Sequence, residues 1–345
     1  MPEGHVTHRL AAGLSDRFAG GPVRSTSPQG RFADQAAELD GHPFRSAQAY
    51  GKNLFVHIGD RTVHVHLGLL GKLTFTDGGL DADVGTRAGT GVGTGSGTTA
   101  RDGFDAGGDP GPGRRPVQGQ VRWRLENDRG WADLRGPQAC RLIDAAELAA
   151  VTGRLGPDPL RADADPDRGW ARVRSSATPI GLLLMDQRVA AGVGNIFRAE
   201  VLYRHRIDPG MAGRALRRAE WEAIWADLVG LMQAAVVRGR IDTVRPEHDP
   251  VAMGRAPRVD RHGGEVYVYR RADQPCLVCR TPIRTREFGG RNLFWCPRCQ
   301  RPSRRQGADP RAARPAPGQP QRRIRPVPAG GSAGERADPV PARPA

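Results

Sequence analysis

The period of the apolar positions changes along the chain. Val6, Leu10, Leu14 and Phe18 recur near helical spacing, which predicts an amphipathic helix over 3–18. From about 43 to 76 the runs shorten and alternate, and NLFVHIG, TVHVHLG and KLTFT read as strands. Residues 77–120 are dominated by Gly, Thr, Asp and Pro. That composition buries too little apolar surface to offset the entropy of ordering, so it predicts a disordered insertion. Alternation resumes in QVRWRLEND and GWADLR, which places the strands on either side in one sheet system interrupted by a surface loop. From about 144 to 240 the pattern turns helical. Over 215–237, Trp221, Ile224, Trp225, Leu228, Leu231, Met232 and Ala235 form one stripe, most simply core packing.

Composition narrows the class. The chain has 345 residues, enough for one to three domains, and a net charge of +15. That excess points to a polyanionic partner, nucleic acid being the commonest. There is no apolar run of transmembrane length and no secretory leader pattern, so a soluble cytoplasmic, nucleoid-associated protein is expected. After about 303 a Pro- and Arg-rich tail carries nine arginines against three acids and reads as disordered and phosphate-attracting. Lys52 and Lys72 are the only lysines among 52 basic residues. In such an arginine-biased chain a lysine is either a chance survivor or a group needed for what arginine cannot do, which is to lose its proton.

Four of the five cysteines fall as CLVC and CPRC, at Cys276, Cys279, Cys296 and Cys299. Two such knuckles suit one tetrahedral zinc, and four thiolates leave no open position, so the ion would be structural. A redox disulfide pair is the competing reading. Cys140 stands apart as a small hydrophobe. Between the knuckles, GG predicts a tight hairpin that carries Arg291, as a phosphate contact or as a solvent-facing side chain. In GLLLMDQRVAAGVGNIFRAEVLYRHRI, an apolar helix over 181–185 ends near Asp186, Gly192 and Gly194 bracket a turn, and Asn195 precedes a new helix as a favoured N-cap. Glycines before a helix start make a phosphate clamp. An ordinary packing corner explains the stretch equally well.

Together with MPEG at the start, YGKNLF around Lys52, HLGLLG at 66–71, LGPDPL at 155–160 and GRNLFWCPRCQ, these pieces resemble the formamidopyrimidine-DNA glycosylase / endonuclease VIII family of DNA repair enzymes, closer to the endonuclease VIII side. The resemblance covers most of residues 1–301 in the family's order. It implies an α+β fold: an N-terminal catalytic β-sandwich with flanking helix at 1–143, a helix–two-turn–helix DNA-binding domain at 144–258, a four-cysteine zinc finger at 259–302 with one structural zinc, and the tail at 303–345.

It also implies roles. Pro2, freed by loss of Met1, is the nucleophile: an α-amino group titrates at roughly 7.7–8.0, so part of it is neutral near pH 7. Glu3 is the general acid/base, against the plainer reading of a helix-start carboxylate. Lys52 contacts phosphate and assists the sugar chemistry. Asn195 and Arg291 pinch phosphates, His66 touches DNA, and Leu69 and Leu70 sit where the family places its wedge. Arg135 matches the first arginine of the family's DPRRFG loop, but Pro137 replaces its phenylalanine. The family often has a second glutamate at the sixth position, where this chain reads His5–Val6, and the departure leaves the base pocket open. The implied activity is a bifunctional glycosylase and AP lyase, with β,δ-elimination, acting as a monomer on duplex DNA with oxidised bases or abasic sites. Two alternatives stand beside it: a non-catalytic binder of damaged DNA, and a Schiff base on Lys52 in place of Pro2.

Overall fold

The computed structural model describes residues 2–75, 117, 119–259 and 264–302. The expected insertion over 77–120 lies almost wholly outside them, as does the tail after 302. Helix α1 (Gly4–Phe18) buries all four residues of its predicted stripe. After it come β1 (Arg24–Thr26), α2 (Ala33–Leu39), β2 (Phe44–Tyr50), β3 (Asn53–Ile58), β4 (Arg61–His66), β5 (Lys72–Phe75), β6 (Val121–Asn127), β7 (Gly130–Arg135) and β8 (Ala139–Ile143). They form two four-stranded antiparallel sheets, ordered β1-β6-β7-β5 and β2-β3-β4-β8. The strands flanking the insertion do share a sheet, since β5 and β6 both pair with β7. Leu54, Val56, Ile58, Val63, Val65, Leu73, Trp123, Leu125 and Leu134 meet the stripe of α1 in one core. Antiparallel sheets with one buried face produce this alternation.

A second core belongs to the helices and the cysteine module. Helix α3 (Ala145–Gly153) opens on a capping box, in which Asp144 accepts from the Glu147 amide at 2.7 Å and Glu147 accepts from the Asp144 amide at 3.2 Å. Then come α4 (Pro166–Arg174), α5 (Ile180–Leu183), α6 (Asn195–Arg204) and α7 (Arg218–Arg238). The α7 stripe packs as expected, with Leu231 only partly buried. The module ends in a hairpin of β9 (Arg284–Glu287) and β10 (Asn292–Trp295), with Ile283, Phe294, Cys276 and Cys296 in the helical core. Among the described residues no helix is long and apolar enough to cross a membrane.

One core residue breaks the pattern. His5 is 2% exposed, its two ring nitrogens have no hydrogen-bond partner, and it meets Phe197 of α6 edge-on at 5.6 Å. Burial first, then nearby positive charge, lowers its pKa to about 3. Between about 3 and the ordinary 6.5 the unfolded chain binds a proton that the folded chain does not, so stability falls as pH falls through this window. Acidification from about pH 8 to about pH 5 is expected to remove about 2 kcal/mol through this residue. Chemical denaturation at the two pH values checks it. His5→Phe should flatten that dependence, and an equally steep loss in the variant would assign it elsewhere.

Candidate active site

Three glycines make the site possible. Gly4 opens α1, Gly51 sits in the β2–β3 turn with φ +60°, and Gly192 precedes α6 with φ +88°. A Cβ on Gly4 would lie 2.7 Å from the Gly192 Cα, and one on Gly51 would lie 3.0 Å from the Gly192 nitrogen. The Gly4 amide donates to the Gly192 carbonyl at 2.8 Å. Three backbones therefore touch with no side chain between them, which only glycine allows. The contact brings Pro2 and Glu3, Lys52, and the start of α6 to one place. Asp158, fully buried in the LGPDPL loop, braces it by accepting from the Gly51 amide at 2.7 Å and bonding to His8 Nε2 at 2.8 Å.

Glu3 is 1% exposed and does not cap its own helix. Its carboxylate accepts instead from the amides of Gly194 at 3.0 Å, Ile196 at 2.7 Å and Phe197 at 3.4 Å. It does for α6 what the N-cap residue Gly194, lacking a side chain, cannot do. A Cβ on Gly194 would stand 2.4 Å from the Glu3 carboxyl carbon, so this position too must be glycine. Burial raises the Glu3 pKa, against the opposing pull of Lys52 and the three amides. Burial lowers that of Lys52, against the pull of Glu3 and with the push of Arg291. Each group is moved towards the pH range where it trades protons, as acid–base chemistry needs.

A cavity of about 190 Å³ opens over Pro2 and Lys52, lined also by His66, Leu69, Gln138 and Arg291, with Glu3 behind Pro2 and outside the lining. The structure thus gathers most of the residues singled out from sequence. Leu69 and Leu70 project from the turn after β4, 60% and 83% exposed. Arg291 reaches the cavity from the β9–β10 hairpin, whose turn uses Gly289 and Gly290 at φ +62° and +71°. A larger open depression of about 570 Å³ between β1 and the β6–β7 hairpin carries Asp40, Glu126 and Asp128 against Arg24. Its charge disfavours phosphate, so size does not locate the site.

Two expected positions differ. Asn195 is the first helical residue of α6 and not its N-cap; Gly194 holds that place and Glu3 supplies the capping carboxylate. Its amide nitrogen donates to the Asn292 carbonyl at 2.9 Å and its oxygen accepts from the buried Arg198, so it fastens α6 to the hairpin. Arg135 lies outside the cavity lining, with its guanidinium on Asp133 at 2.7 Å and Thr74 at 2.9 Å. His5 and Val6 do not line the cavity either. Sequence reading missed Asp158 and Gln138. LGPDPL had marked the first as a motif, and nothing local marks the second.

The four cysteine sulfurs lie within 4.8 Å of one another, with Cys279–Cys296 at 3.4 Å and Cys276–Cys299 at 3.9 Å. Disulfide bonds are about 2.05 Å. Zinc–sulfur bonds of about 2.3 Å give a tetrahedron with edges of about 3.8 Å, so the sulfurs fit one zinc. The Tyr203 hydroxyl lies 3.0 Å from Cys276 Sγ, tying the site to α6.

Three family profiles match. Residues 1–132 match the formamidopyrimidine-DNA glycosylase N-terminal domain, 155–245 the formamidopyrimidine-DNA glycosylase H2TH domain, and 273–302 the zinc finger found in FPG and IleRS. The chain is 48% identical over 304 residues to Endonuclease 8 1 of Mycobacterium tuberculosis, covering 87% of this chain and 100% of that protein. It is 25% identical over 308 residues to the formamidopyrimidine-DNA glycosylase of Vibrio cholerae, covering 87% and 100%. The fold is similar to that of the Lactococcus lactis Fpg in complex with abasic-site DNA, with a TM-score of 0.62 at 18% identity over 87% of this chain and 100% of that one. A MutM bound to DNA containing carbocyclic 8-oxo-G gives a TM-score of 0.62 at 18% identity, with the same coverage.

Proposed function

The chain belongs to the formamidopyrimidine-DNA glycosylase and endonuclease VIII family, and from that premise we propose how its residues share the work. The protein is a DNA base-excision repair enzyme, a glycosylase with AP lyase activity, and it carries one structural zinc. The observation that supports our assignment best is the placement of Pro2 beside a carboxyl group held by the amides of α6 and paired electrostatically with Lys52.

After Met1 is removed, the Pro2 nitrogen attacks C1′ of the damaged nucleotide. The C1′–base bond breaks and the base leaves with a proton. Glu3, whose pKa burial raises, donates a proton to the ring oxygen as the sugar opens. The secondary amine becomes an iminium with a fixed positive charge. That charge acidifies C2′; loss of a C2′ proton breaks the bond to the 3′ phosphate, and a second elimination releases the 5′ phosphate. Lys52, Arg291 and His66 hold phosphates in the cavity, while Leu69 and Leu70 fill the gap left by the extruded nucleotide. Asn195 acts on the DNA through its hold on the hairpin. One chain supplies Pro2, Lys52, His66, Leu69 and Arg291 to the cavity, which supports a reading in which the protein acts as a monomer, on DNA in the cytoplasm.

Borohydride is expected to trap a covalent complex with abasic-site duplex. Pro2→Gly should weaken trapping by about 100-fold or more, the scale on which an acting catalytic group is missed. No trapping by correctly processed wild-type protein would refute the mechanism, and a trapped peptide carrying the DNA on Lys52 would reassign the amine.

A further inference from the structure

Gln138 connects two parts of the site that sequence reading kept apart, and we infer that it is a positioning residue, which holds the His66 ring in the cavity and braces the turn carrying Leu69 and Leu70. This rests on the reading of His66 as a DNA contact.

The geometry runs through the β4–β8 ladder. His66 ends β4 and pairs with Ala139, so Gln138 stands just before its partner strand begins. The Gln138 side chain bonds to the His66 ring, and both line the cavity with Pro2 and Lys52. His66 Nδ1 is buried without a partner, so the ring meets Gln138 through Nε2. A donating ring N–H calls for the carboxamide oxygen as acceptor. The same side chain lies under the next turn. Gly68 has φ +67°, and a Cβ there would fall 2.8 Å from Gln138 Cβ and 3.0 Å from its Oε1. The turn closes through the Gly71 amide on the Leu67 carbonyl at 3.0 Å, leaving Leu69 and Leu70 at its tip.

The hydrogen bond has an electrostatic consequence. Burial and then Lys52 drive His66 towards its neutral form, and the bond to Gln138 acts against them. The other charged or titratable groups near the ring are Arg291 across the cavity, His64 on β4 and, once Met1 is removed, the Pro2 amine. None of these favours a positive imidazole. Gln138 therefore opposes the loss of the imidazole's charge and aims the ring, which suits a phosphate contact beside Lys52.

The test uses the full zinc-loaded chain. Gln138 is exposed, so Gln138→Met, which removes the acceptor, and Gln138→Glu, which keeps it and adds charge, should both fold. Proton NMR of the His66 ring should show its midpoint falling in Gln138→Met and rising in Gln138→Glu. With abasic duplex, Gln138→Met should raise KM about fivefold at nearly unchanged kcat, the size of one ordinary hydrogen bond, and the effect should vanish in a His66→Ala background. Identical His66 titration in all three proteins overturns the inference. If the titration shifts but His66→Ala binds duplex like wild type, the reading of His66 as a DNA contact fails while its hold by Gln138 stands.

Discussion

Replacing Glu3 by alanine is expected to abolish base excision and to lower stability by about 3 kcal/mol, and glutamine should separate the two losses. In the alanine variant three amides at the start of α6 lose their acceptor, in a place that solvent scarcely reaches. A buried donor left without a partner costs about 1–3 kcal/mol, and partial repair by water keeps the sum near the lower end. Glutamine keeps the shape and one acceptor oxygen, so most of the cap survives. It has no proton to give the opening sugar, so excision should fall by about 10²–10³-fold while the melting temperature moves by only a few degrees. Single-turnover excision from an oxidised-base duplex and a thermal melt give the two readings. Wild-type excision by Glu3→Gln would reduce this carboxylate to a structural cap.

Withdrawing the zinc is the second large effect. The β9–β10 hairpin has strands of four residues, and an isolated two-stranded hairpin is marginal in water. Packing of Ile283 and Phe294 on the helical core and the Asn195 bond help hold it, and the metal site adds the larger share, since structural zinc supplies about 10–16 kcal/mol in finger peptides. Chelation is expected to free Arg291 from the cavity and to cut duplex incision by about 100-fold or more. Cys276→Ala should match it, because that sulfur is fully buried against Tyr203. The sandwich core shares no buried residue with the finger and should stay folded. Zinc content, a nicking gel and recovery on adding zinc back to the wild type provide the measurement. Undiminished incision by metal-free protein would mean that the finger does not position Arg291.

How much of this was legible depends on distance along the chain. The alternation in TVHVHLG was readable because Val63 and Val65 face one core and their neighbours do not. The cysteine knuckles were readable because metal geometry fixes their spacing. Asn195 was misread as a cap because cap preferences describe local chemistry, while the acceptor comes from Glu3, 191 residues before Gly194. Arg135 could be aligned with a loop, but its partner Asp133 is two residues along the same strand, and a strand sends both side chains to one face. The short helix α2 went unread, since seven residues give too little period to stand out. Gln138 had no signal at all; its meaning comes from a strand register that no single segment contains.

The meeting of Gly4, Gly51 and Gly192 also sets when, during synthesis, the site can first assemble. Glu3 is made long before the amides that hold it, which follow only at Gly194, Ile196 and Phe197. At about 5–20 residues per second, the N-terminal end waits on the order of 10–40 s for its counterpart. Throughout that interval a chain with a finished sandwich carries Pro2 and Glu3 without the amides that hold the carboxylate in place. A chain that stops short of Phe197 therefore has the carboxylate but not the full set of amides that fixes it.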